Sequence, residues 1–292
     1  MHLTYQGDVI RPPAEAASII LQAVVGCPFA GCRFCGAYRN VVYSPRAVGE
    51  FERHCEWVAG MSAREDARVF LADGDLMFLS ASQISAYMEV AKETFPFARR
   101  FSCYAGGKGL IGKSADELAR FKREGLNTVY LGLESGDESI LRSVNKSATA
   151  QEMTTGIVRA QNSGIRASVI VLLGLGGKAH SKSHASNTAA VLNAMQPRMI
   201  NFLTLMLVPG TELHASALAG DFLPLDWREM LDELRDMISN LKLTRSVVRA
   251  NHASSFLPLE GSFPKDKENF LERIDRALAG KSQPIPDFMR GL

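Results

Sequence analysis

Short apolar runs rich in β-branched residues alternate along this chain with longer segments whose apolar positions recur every three or four residues. The first pattern predicts strands at residues 18–25, 68–72, 99–104, 128–133, 167–173 and 199–207. Each run is apolar on both faces, as expected of a parallel sheet covered by helices. The second pattern predicts helices at residues 48–59, 81–94, 115–123, 150–162 and 186–195, and a further one at 227–241 after the sixth strand. Ser114, Ala115, Asp116 and Glu117 read as a capping box, and Gly125 and Gly164 stand just past helix ends. Six strand–helix units predict an α/β fold, a partial (β/α)6 TIM-like barrel. Reactive groups are then expected at the carboxyl ends of the strands and in the loops that follow. The pattern changes from residue 247, with prolines at 258 and 264 and a last helix at 265–279. The expected division is a core over residues 1–246 and a short C-terminal extension over 247–292 packed on that core.

Composition narrows the picture. Apolar residues make up 46% of the 292, enough for a substantial core. The 33 Lys+Arg nearly balance the 31 Asp+Glu, so nothing demands a nucleic acid or an anionic membrane as partner. Arg99, Arg100, Lys108 and Lys113 are the charges available to a surface that binds RNA. Four scattered charges read more simply as a solvated face. The first residues show no basic segment followed by a long apolar stretch, so no secretory leader is expected. The longest apolar runs, such as 169–173, fall far short of the roughly 20 residues that span a bilayer. A cytoplasmic protein without a membrane partner is the expectation.

Of the 5 cysteines, three crowd into positions 27–35. That is a poor disulfide framework and a good metal site for a reducing compartment. They lie directly after the first strand in Gly26-Cys27-Pro28-Phe29-Ala30-Gly31-Cys32-Arg33-Phe34-Cys35-Gly36, a C-x4-C-x2-C loop too rich in glycine and proline to be helical. Three thiolates can hold three irons of a cubane cluster and leave the fourth iron open to an outside ligand. Two alternatives stay open on spacing alone. One is structural zinc, with a fourth ligand recruited from Cys55, Cys103 or one of the 6 histidines. The other is three free buried thiols.

The loop resembles the cluster-binding loop of the radical S-adenosylmethionine (SAM) superfamily, C-x3-C-x2-C with an aromatic before the last cysteine. Phe34 fills that aromatic position, and Tyr38 matches a later aromatic of one subset; the departure is one extra residue between the first two cysteines. Further features follow in order over residues 18 to 210. Ala72-Asp73-Gly74-Asp75 is similar to the family's Gly-Gly-Glu turn, which receives the cofactor's amino group and here involves Gly74 and Asp75. Val129 to Gly136 looks like the Gly-hydrophobic-Glu/Gln-Ser segment of coproporphyrinogen dehydrogenases, methylthiotransferases and the catalytic subunit of Elongator. The resemblance places Glu134 and Ser135 beside bound SAM and sets Lys146 to pair with its carboxylate. Leu172-Leu173-Gly174-Leu175-Gly176-Gly177 is similar to a turn that lies along the adenine, which implicates Gly174; the usual proline and the following Glu-Thr are absent.

What the resemblance implies is a [4Fe-4S] cluster on Cys27, Cys32 and Cys35 that cleaves SAM reductively. A 5′-deoxyadenosyl radical then takes hydrogen from a small or medium organic substrate, with electrons from a donor such as flavodoxin or ferredoxin. Candidate catalytic residues are His184, read as beginning the helix after the fifth strand; His252, in the C-terminal extension and read as able to close the barrel mouth; and Cys103, at the end of the third strand and read as pointing to the site. The turn Pro209-Gly210-Thr211-Glu212 reads as structural. Two rival functions are an enzyme of the same superfamily acting on RNA or protein, and a non-catalytic iron–sulfur or zinc protein.

Overall fold

In the computed structural model, which describes residues 4–61, 68–286 and 290, the alternating pattern resolves into strands and helices in nearly regular succession. In chain order these are β1 (Ile19–Gln22), β2 (Val24–Val25), β3 (Ser44–Pro45), α1 (Val48–Met61), β4 (Arg68–Ala72), α2 (Ala81–Thr94), β5 (Arg100–Tyr104), α3 (Gly107–Ile111), α4 (Ala115–Arg123) and β6 (Leu126–Glu134). There follow α5 (Glu138–Ser143), α6 (Ala150–Asn162), β7 (Arg166–Leu173), α7 (Gly177–Met195), β8 (Met199–Thr204), α8 (Glu212–Ala219), α9 (Trp227–Asn240), β9 (Ser246–Ala250), β10 (Leu259–Phe263) and α10 (Lys267–Leu278). Eight strands form a mostly parallel sheet in the order β1-β4-β5-β6-β7-β8-β9-β10, and β2 pairs with β3. The fold is α/β, as the alternation predicts.

Four differences from the sequence reading have physical causes. The expected first strand breaks at Ala23, whose N–H goes to Ala72 O while its own carbonyl receives Arg46 N–H, so the chain passes from one ladder to another. The helix expected at 186–195 begins at Gly177, because packing overrides the weak helix propensity of the Ser- and His-rich run before it. Helices α3, α5 and α8, with 5, 6 and 8 residues, are too short to display a period. The segment from residue 247 supplies strands: β9 runs parallel to β8, and β10 antiparallel to β9.

The chain divides into two compact units, one of residues 1–30, 37–131 and 155–167, the other of 31–36, 132–154 and 168–292. In the first unit the parallel register aligns Leu21 with Leu71, Leu71 with Cys103 and Cys103 with Val129. Register-matched neighbours share a face, and all four are fully buried. Phe70, Ala72 and Tyr130 form a cluster with Ile20 and Tyr104, joined by Val9 and Ala14. The N-terminal segment is tied there by Tyr5 Oη to Ile20 O (2.7 Å), Gln6 N to Gln22 Oε1 (2.8 Å) and Tyr130 Oη to Glu15 Oε1 (2.6 Å). The expected capping box of α4 is present on both sides, and Gly125 and Gly164 take φ of 106° and 82°. In the second unit α9 opens with a capping box of its own, Asp226 with Glu229, and packs against α7 and α10.

Candidate functional site

The cysteine loop leaves β2 and is closed by the β2–β3 ladder, which pairs Val24 with Pro45 and Val25 with Ser44. None of the five cysteines is in a disulfide, and Cys27, Cys32 and Cys35 are half-buried. Cys27 belongs to the first unit; Cys32 and Cys35 belong to the second.

In the first unit the turn after β4 packs directly on the start of the loop. A Cβ on Gly74 would stand 2.3 Å from Gly26 O and 2.9 Å from Cys27 Cα, so only glycine fits. Asp73 is buried and accepts from Gln22 Nε2 at 2.8 Å. Burial lifts its pKa to about 6, opposed by Gln22 and by the N–H groups of Ile10 and Gly26. The Tyr38 hydroxyl lies beside Asp73 and the Gly74 N–H, and burial followed by the charge of Asp73 raises its pKa. Tyr38 and Gly74, both candidates from sequence, are therefore neighbours.

Asp75 turns elsewhere. Its carboxylate fills the space over Gly106 and Gly109 at the start of α3, where a Cβ would come within 2.4 Å and 2.7 Å of Oδ2. Burial raises its pKa to about 6, against the N–H groups of Gly106, Met77 and Phe78 and the charge of Lys113. The folded chain thus keeps this proton up to about pH 6, while the unfolded chain releases it near the ordinary 3.8. The contribution to stability is complete below the unfolded value and is lost as pH rises through the folded one. Asp75→Asn removes this dependence, so its stability relative to wild type should rise by up to about 3 kcal/mol between roughly pH 4 and pH 7. Urea unfolding of both proteins across that range checks this; a pH-independent difference would contradict it.

Cys103 requires a correction. In register with Leu71 and Val129, it lies on the face opposite Tyr104 and Tyr130, is fully buried, and has its thiol pKa raised by burial. A strand's side chains alternate, so Ser102 and Tyr104, not Cys103, share the other face. Cys55, in α1, is also fully buried, with its pKa pushed up to about 12.

In the second unit the rest of the loop is pinned by backbone bonds. Arg33 N donates to Val144 O (3.0 Å), Leu213 N to Arg33 O (3.0 Å) and Asn145 Nδ2 to Gly31 O (2.8 Å). Arg33 also pairs with Glu212 at 2.8 Å, so the turn read as structural from sequence leads into a helix that holds the loop. Phe34 packs against the cluster of Ile140, Val144, Leu175 and Leu213. A Cβ on Gly36 would approach Val208 Cγ1 to 2.7 Å.

Glu134 ends β6 with φ of 62° and accepts from Lys146 Nζ at 3.0 Å, the two side chains 11% and 17% exposed. The structure thus brings these two candidates together. Gly132 leaves the room they need, since a Cβ there would lie 2.0 Å from Glu134 Oε1. Ser135 is buried and hydrogen-bonded to His184 Nδ1 at 2.8 Å. His184 lies within α7, not at its start, and is fully buried. That enclosure corrects its reading as a residue that meets substrate. His252 is half-buried: Nδ1 receives Ser254 N–H at 3.1 Å and faces Ser254 Oγ at 2.9 Å, while that hydroxyl accepts Thr204 N–H at the end of β8. Burial lowers its pKa, which favours the neutral ring.

Sequence reasoning missed Glu233. The signal was present: a carboxylate on the apolar stripe of α9, among Met230, Leu234 and Met237.

The donor chemistry of the loop suits an iron–sulfur group: three cysteines outside any disulfide on a glycine-bearing, non-helical segment. Among the described residues no three His, Cys, Asp or Glu side chains are gathered as a site for a metal ion; ligands of a cubane bind separate irons.

The chain thus carries a three-cysteine loop after the first strands of a mostly parallel α/β sheet, and an acidic–basic pair linked to the end of a later strand. The sequence model of the Radical SAM superfamily matches residues 21–182, more than half of the chain. The chain belongs to the radical SAM superfamily. No curated protein matches it in sequence. Among solved structures, the radical SAM enzyme coproporphyrinogen III oxidase (HemN) from Escherichia coli is 18% identical with a TM-score of 0.55, over 71% of this chain and 48% of its own. The chain therefore spans about half the length of that enzyme. Methylornithine synthase (PylB) is 15% identical with a TM-score of 0.56, over 92% and 83%. The Elp3 protein of Methanocaldococcus infernus is 14% identical with a TM-score of 0.51, over 80% and 59%. At such identities the likeness shows the fold alone. Among the described residues no helix is long and apolar enough to cross a membrane.

Proposed function

We propose that this chain holds a [4Fe-4S] cluster through Cys27, Cys32 and Cys35, binds SAM at the open iron, and begins radical chemistry on a small or medium organic substrate. The observation that carries the reading is the loop of three cysteines, none in a disulfide, inside the span that matches the superfamily. When bound and reduced, the cluster supplies the electron that cleaves SAM to methionine and a 5′-deoxyadenosyl radical, which takes a hydrogen atom from the substrate.

The chain's own residues do the binding and the shielding. Gly74 lets the turn after β4 lie against the start of the loop, leaving its backbone carbonyls for the cofactor's amino group. Lys146 and Glu134, paired at 3.0 Å, offer one charge of each sign, as an amino acid zwitterion requires, and a charge-assisted contact to the carboxylate falls to Lys146. Gly174, with φ of 82°, lets the backbone approach the nucleoside half, and Ser135 stands beside Glu134. Phe34 holds the loop by packing, and Tyr38 is half-buried beside the turn after β4, which helps to exclude water from the radical. The neutral ring of His252, held half-buried at the end of β8, is available to contact the substrate. A one-electron donor such as flavodoxin or ferredoxin and a reducing, cytoplasmic setting complete the reading. A near-neutral net charge of +2 supports a small-molecule substrate over a nucleic acid.

Anaerobically reconstituted protein given dithionite and SAM is expected to release methionine and 5′-deoxyadenosine in equal amounts. Iron-replete protein that forms neither, with or without a panel of candidate substrates, would remove the proposal.

A further inference from the structure

Glu233 sits where an amphipathic helix normally places a hydrophobic residue. It is 2% exposed, and burying an unpaired carboxylate costs several kcal/mol, so its position calls for partners. Oε1 accepts the Gly174 N–H at 2.6 Å and stands 3.7 Å from His184 Nε2. Burial raises the Glu233 pKa, and His184 opposes that rise. Helix α9 and the glycine turn are in close contact, because a Cβ on Gly174 would lie 2.3 Å from Met230 Cε.

The contacts continue through His184. Its Nε2 faces two acceptors, Glu233 Oε1 and Leu172 O, the latter at 3.0 Å, so this nitrogen carries the proton. Nδ1 is hydrogen-bonded to Ser135 Oγ at 2.8 Å, and the same hydroxyl receives Asp137 N–H at 3.0 Å. Thr188 Oγ1, 3.2 Å from Nδ1, takes the Gly136 N–H at 2.8 Å. One buried chain of groups, Gly174 N–H, Glu233, His184 and Ser135, therefore joins the turn after β7 to the turn after β6. Ser135 and His184 have no exposed surface, so the chain acts by holding geometry.

We propose that Glu233 is a positioning residue for SAM, fixing the Gly174 turn directly and Ser135 through His184. The inference rests on the Gly174 turn and on Glu134, the residue before Ser135, being SAM contacts, as proposed above. A glycine at positive φ has the broadest backbone freedom of any residue; tying its N–H to a buried carboxylate keeps the turn in the shape the ligand meets.

The test compares Glu233→Leu, which removes the acceptor, with Glu233→Gln, which keeps an oxygen for the Gly174 N–H. Reconstituted full-length protein is measured by hydrogen exchange over residues 172–177 and by calorimetric titration with SAM. Loss of a hydrogen bond to a charged group predicts exchange at Gly174 and a SAM dissociation constant both raised about 10-fold or more in the leucine variant, at unchanged iron content. The glutamine variant should stay within about threefold of wild type, as a neutral hydrogen bond retains most of the constraint. Glu233→Asp, which keeps the charge but shortens its reach, is the second variant should leucine prevent folding, with the same direction expected. Wild-type exchange at Gly174 in the leucine variant, or faster exchange with undiminished SAM affinity, would overturn the proposal. Iron-replete wild type that does not bind SAM would overturn the cofactor reading and this inference together, and is told apart because wild type itself fails.

Discussion

Cys32→Ala, prepared and reconstituted without oxygen, is expected to lose the brown colour and nearly all SAM cleavage. Its iron content should fall from about four per chain to below about one, because a cubane with only two protein thiolates is poorly held. The loop is pinned at Gly31 and Arg33 by hydrogen bonds that do not involve the cysteine side chain, so the fold should survive. Cys55→Ala and Cys103→Ala serve as contrasts. Both thiols are fully buried, with pKa values raised by burial, and a buried thiol of that kind is inert. Their removal should cost about 1 kcal/mol of stability through lost packing and leave iron loading unchanged. Iron analysis and absorption spectra check all three. Full iron in Cys32→Ala would exclude that residue as a ligand.

The second large effect is expected at Gly74. An alanine there places its Cβ 2.3 Å from Gly26 O and 2.9 Å from Cys27 Cα, against backbone and not against a flexible side chain. The turn or the loop must move, and overpacking of this kind costs about 1–3 kcal/mol. Because the displaced partner is the backbone of Cys27, iron loading should fall together with stability. Urea denaturation and iron content measured on the same preparation check the coupling. A variant as stable as wild type and fully loaded would show that the close approach has no consequence.

How much of this was legible in the sequence varies with the kind of signal. The apolar runs at 68–72 and the helical periods at 81–94, 115–123 and 150–162 agree with the observed elements to the residue, because burial on both faces or on one stripe leaves a strong pattern. The cysteine spacing and the order of later turns were equally readable, since chemistry there requires particular residue types. Cys103 was misread because pleat alternation, not position along the strand, decides the face, and that parity becomes visible only once its register with Leu71 and Val129 is known. His184 was misread because the helix start was placed nine residues late, which moved a buried group to an apparent terminus. Glu134 and Lys146 were each assigned to the cofactor, but their pairing depends on a backbone bend at φ of 62° that no local pattern announces. The strands β9 and β10 alternate buried with more exposed positions, a weaker signal than the fully apolar inner strands.

The central claim is that the loop carries a [4Fe-4S] cluster whose fourth iron accepts SAM. Electron paramagnetic resonance of the anaerobically reconstituted, dithionite-reduced protein tests it most directly. The account predicts a [4Fe-4S]+ signal whose g values shift when SAM is added. A bound zinc ion with no such signal, or a cluster spectrum indifferent to SAM, would contradict it.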